Sequence, residues 1–142
     1  MHPRLSSLRA FLALLTTVFL VTACGGGGDE QVDSIEIVTV TPTTTGADQS
    51  TNFTVLFRYT LASRESGVVN MGFFIDSTNQ TLVPENLVVT RGTGTGTLSA
   101  RAVPSQYTRT VDFAVGVLLS ESPHGAAWTP LARDKQFVSL TQ

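Results

Sequence analysis

In "FTVLFRYTL", Phe53, Val55, Phe57, Tyr59 and Leu61 fall on one parity, while Thr54, Arg58 and Thr60 fall on the other. Side chains alternate across a strand, so this segment predicts one buried face and one wet face. "VVNMGFFID" repeats the pattern with Val69, Met71, Phe73 and Ile75, and "TVDFAVGVLL" with Val111, Phe113, Val115, Val117 and Leu119. Weaker strand signals are "SIEIVTV" (34–40), "NLVVT" (86–90), "TLSARAV" (97–103) and "KQFVSL" (135–140). In "SIEIVTV" the apolar parity switches between Ile37 and Val38, which predicts a bulge or a strand that changes sheets. Between these runs lie "TPTTTGADQS", "SRESG", "DSTNQ", "RGTGTG", "PSQ" and "SESPHGAAWTP", each with turn-forming residues. Helical periodicity is nearly absent. About seven short strands with frequent turns predict an all-β domain, a single Greek-key sandwich.

The N-terminal pattern is different. Arg4 and Arg9 with no acid precede "AFLALLTTVFL" (10–20), a continuous apolar run too short to span a bilayer comfortably, and small residues Thr22 and Ala23 precede Cys24. A basic segment, a short apolar segment and a small-residue site predict a cleaved secretory signal over residues 1–23. Within it, "VTAC" (21–24) resembles the lipobox of bacterial lipoproteins: aliphatic, small, small, cysteine. That resemblance implies a diacylglycerol on the Cys24 sulfur and cleavage just before it. It also implies a lipid-anchored place in the cell envelope, and Gly25, where inner-membrane retention often uses Asp, favours the outer membrane. Two or three acyl chains hold firmly where one holds marginally. "GGGGDEQ" (25–31) then reads as a tether with a root-mean-square span of roughly 15 Å.

Removing residues 1–23 from the 142 leaves 119, and residues 32–142 are enough for one domain with a real core. Of nine basic residues two go with the leader, so seven Lys or Arg face eleven Asp or Glu, a net charge of −4. That balance argues against nucleic acid. Cys24 is the only cysteine, so no disulfide is available and packing must supply stability. In "VPSQYTRTVDF", Tyr107 follows Pro104 at the start of a strand, which resembles the tyrosine corner of immunoglobulin-like and fibronectin type III domains. The resemblance implies an immunoglobulin-like sandwich in which the Tyr107 phenol bonds upstream backbone. An ordinary interior tyrosine entering a strand reads the same way.

Candidate chemistry is sparse. The mature chain has one histidine, His124, and no free cysteine, so three or four clustered zinc ligands are not available. Asp29, Glu30 and Asp33 flank the tether and read as a solvated acidic collar rather than a calcium loop. "SESPHG" lacks the elbow of a serine hydrolase. "RGTGTGT" (91–97) matches neither phosphate-binding glycine pattern and reads as a mobile hairpin connection. The remaining candidate is "SPHGAAWTP" (122–130), where Trp128 and His124 lie between prolines. Trp128 is either an exposed anchor for a partner or a plug folded back into the sandwich end.

These readings predict a non-catalytic binding or structural module, without cofactor or metal. Its partners would be the membrane, through acyl chains on Cys24, and an envelope protein or glycan. A carbohydrate-contacting accessory domain using Trp128 is one alternative; a small envelope hydrolase or inhibitor is the other.

Overall fold

Each of the seven expected segments contributes to a strand in the computed structural model, which describes residues 31–75, 79–107, 112–122 and 130–141. The strands are β1 (Ser34–Thr41), β2 (Thr44–Gly46), β3 (Thr51–Ile75), β4 (Asn79–Ala102), β5 (Asp112–Ser120) and β6 (Ala132–Thr141). The protein is all-β, and among the described residues the one helical turn is a 3-10 turn at Pro104–Gln106. Cys24, His124 and Trp128 lie outside the described residues.

Two connections expected as turns are strand instead. β3 and β4 form one long antiparallel hairpin in which Leu61 pairs with Gly92 and Ser66 with Thr90. Residues 62–65 therefore stand opposite Arg91 alone, and this excess bends the hairpin. The bend divides it between two limbs. In the first, β1 pairs with residues 54–60 of β3, and residues 92–102 of β4 pair on the other side. In the second, residues 79–90 of β4 pair with the far half of β3, which pairs with β5; β6 follows β5, and β2 runs parallel to the end of β6. Counting the halves of β3 and β4 separately gives eight strand segments, the seven expected from the sequence and the short β2. The limbs are parts of one curled sheet rather than two independent ones.

Alternation positions the core. Phe53, Val55, Phe57 and Leu61 from one half of β3, Val69, Met71 and Phe73 from the other, and Phe113, Val115, Val117 and Leu119 from β5 are completely buried. Phe53, Phe73 and Phe113 meet with ring centroids 5.2–5.8 Å apart, joining three strand segments from both limbs. Such aromatic contacts add about 0.5–1.5 kcal/mol each beyond area burial.

The glycines of "RGTGTG" serve this packing rather than mobility. A Cβ on Gly96 would stand 2.6 Å from both the Phe57 ring and a Leu87 methyl, which come from opposite limbs. Gly92, opposite Leu61 at the bend, has φ +114°, a conformation that side chains strain to adopt.

The parity switch in β1 is a register shift between Ile37 and Thr39, as the pattern predicted. β1 and β6 do not pair, yet the Asp134 carboxylate bridges them. It accepts the Ile37 amide at 2.8 Å and, through its other oxygen, the Lys135 amide at 2.8 Å. A side chain thus satisfies an edge amide that no strand reaches.

Candidate functional site

The second limb has an outer face that its own alternation should have made polar, and it is apolar. On β3, Val68, Asn70, Gly72 and Phe74 share the parity opposite the core; on β5, Ala114, Gly116, Leu118 and Ser120 do. Val68, Phe74, Ala114 and Leu118 are buried, and Asn70 and Ser120 are completely so. The Asn70 amide and the Ser120 hydroxyl have no hydrogen-bond partner. An unsatisfied buried polar group costs about 1–3 kcal/mol, so these two are costly positions in the strands.

Toward β6 the same face opens. Phe137 pairs with Ala114 and is 58% exposed, the most exposed aromatic among the described residues. Lys135 pairs with Gly116, and the Phe74 ring lies against that glycine. The Lys135 ammonium sits 5.5 Å from the centroids of both Phe74 and Phe137. Ammonium over an aromatic face gains about 0.5–1 kcal/mol at exposed sites, which holds this side chain in place. Phe74, Arg133, Asp134 and Lys135 line a hollow of about 220 Å³. An exposed ring, a held ammonium and a neighbouring exposed guanidinium can receive an apolar side chain and a carboxylate together.

The first limb's outer face contrasts with it. Ser34, Glu36, Arg58, Thr60, Thr93 and Thr95 line its shallow groove, where Arg58 pairs with Glu36 at 3.2 Å. Both partners are largely exposed, so the pair contributes little.

A third group lies at the hairpin bend. Asp33, the residue before β1, accepts the amides of Ala62 at 2.7 Å and Ser63 at 3.0 Å, and also the Ser63 hydroxyl. Burial acts to raise its pKa, but the Ser63 hydroxyl, the two amides and the Arg64 charge outweigh it, and the carboxyl titrates below its ordinary value. Beside it, Arg64 pairs with Glu121, at the end of β5, and Arg91 with Glu65 at 2.8 Å. Glu121 immediately follows β5.

Of the candidate site residues Cys24, Tyr107, His124 and Trp128, only Tyr107 lies within the described parts; Asp33, expected in a solvated collar, is instead bonded to the bend. The Tyr107 amide donates to the Pro104 carbonyl at 2.9 Å, and its half-buried ring packs 5.2 Å from Phe73 and 6.1 Å from Phe113. Phe137, Lys135 and Phe74 were not among the candidates. A signal for their face was present: "GVVNMGFF" and "FAVGVLL" are apolar on both parities, the mark of a strand covered on two sides. Among the described residues no group of three His, Cys, Asp or Glu is placed to hold a metal ion. The chain matches no known family model, and no curated protein matches it.

Proposed function

We propose that this protein is a lipid-anchored module of the bacterial cell envelope that binds a protein partner through the outer face of its second limb. The observation that carries the binding half is the Phe74–Lys135–Phe137 cluster: a held cation between two rings, one of them exposed. Anchoring rests on the sequence, where a basic segment, an apolar run and "VTAC" precede a glycine tether. The partner is an envelope protein presenting carboxylates beside apolar side chains, since the mature chain is acidic while this patch offers Lys135 and Arg133.

Affinity capture from intact envelopes, with the anchor retained, tests the reading. Phe137→Ala and Lys135→Glu should each reduce recovery of the captured partner at least tenfold. Phe137→Ala should leave the melt within about 0.5 kcal/mol of the parent, as surface changes do. Undiminished capture by both variants would end the proposal for this face. Separately, Cys24→Ser should move the protein out of the membrane fraction; a variant that stays there would remove the anchor.

A further inference from the structure

Among the described residues, β1 begins at the hairpin bend. Asp33 is held by the bend through two backbone amides and the Ser63 hydroxyl, and Ser34 immediately pairs with Thr60. We infer that the bend end of the sandwich, built from residues 62–65, Arg91 and Glu121, is the end turned toward the lipid headgroups. The inference rests on lipidation of Cys24, and it adds an orientation to that anchor.

Distances decide it. Cys24 and Asp33 are nine steps apart along the chain, with eight residues between. A glycine-rich sequence of that length predicts a root-mean-square span of about 15–18 Å and reaches about 30 Å when fully extended. The eight residues of β1 run about 26 Å from the bend to the opposite end, near Ser50 and Ser105. For that far end to face the bilayer, the tether would have to lie almost fully stretched along the domain. Few conformations of a glycine-rich chain do so, whereas the bend end is reached at the tether's ordinary span.

The chemistry of the rim fits a zwitterionic headgroup layer. Arg64 and Arg91 are paired with Glu121 and Glu65, and Asp33 is committed to the bend. Two cations against three carboxylates give no attraction to anionic lipid, so the tether sets the orientation and surface charge does not. The consequence for binding is geometric. Ala132 pairs with Leu119 at the rim, and Phe137 lies five residues further along β6, about 17 Å above it. The Phe74–Lys135–Phe137 surface then stands on the flank of the domain, clear of the bilayer and open to a neighbour in the same membrane.

The test uses the full lipidated chain in phosphatidylcholine vesicles that carry a spin label on the headgroup. Ser66→Cys places a fluorophore beside the bend and Ser50→Cys places one at the opposite end; both serines are exposed. The Cys24 sulfur, once a thioether, does not compete for the dye. Quenching at position 66 should exceed that at position 50 severalfold, and lengthening the glycine run by about a dozen residues should shrink the difference. Equal quenching, or stronger quenching at position 50, in protein that floats with the vesicles overturns the orientation alone. Parent protein that fails to float overturns the anchor and the orientation with it.

Discussion

At the scale of single residues, two positions show how close the fold lies to its packing limits. Gly96 sits where the limbs converge on it from Phe57 and Leu87, both 2.6 Å from where an added Cβ would stand, closer than non-bonded carbons approach. Gly96→Ala should therefore destabilise by about 1–3 kcal/mol in urea melts, the usual cost of forcing an extra carbon into a packed interior. Asn70 is the opposite case, a polar side chain whose burial is uncompensated. Asn70→Val replaces it with a residue suited to strands and should raise stability by about 1–3 kcal/mol in the same assay. A fall in stability would show that the amide is bonded after all.

At the scale of elements, β1 and β5 each begin at a local device. Asp33 ties the start of β1 to the bend, and its folded pKa lies below the ordinary 3.8. Its contribution is therefore complete above that value and disappears as pH falls through the lowered folded value. The stability difference between the parent and Asp33→Asn should be constant from neutral pH down to about pH 5 and should shrink below about pH 4. A difference independent of pH would show that the charge is not what matters. Before β5, the Pro104–Gln106 turn delivers the Tyr107 ring onto Phe73 and Phe113. Tyr107→Phe keeps the ring. If the phenol bonds backbone as the tyrosine corner implies, the variant should lose about 0.5–1.5 kcal/mol in denaturant melts; a neutral result would favour an ordinary interior tyrosine.

At the scale of the whole molecule, the long bent hairpin makes both limbs depend on the same two strands, and the Phe53–Phe73–Phe113 cluster spans them. One limb cannot detach without breaking the other's core. Residues 29–142 should therefore show a β-type circular dichroism spectrum and one cooperative thermal transition, unmoved by reductant because the segment has no cysteine. Two separated transitions would mean that the limbs are independent.

Strand existence was determined by the sequence itself, because alternation is a property of neighbours: Phe53 to Leu61 and Phe113 to Leu119 cannot bury their apolar sets in any other regular conformation. The parity switch in β1 was legible for the same reason. Continuity was not. "SRESG" and "RGTGTG" carry turn residues whichever way the chain runs, and only pairing across the hairpin decides that Arg91 faces residues 62–65 and that Gly96 makes room for Phe57. The outer face of the second limb lies between these cases. Its apolar runs on both parities were visible, yet the meeting of Phe74, Lys135 and Phe137 needed three strands set side by side. A local pattern states which side chains leave water; which strand lies next to which is decided by long-range registry, and that belongs to the tertiary structure.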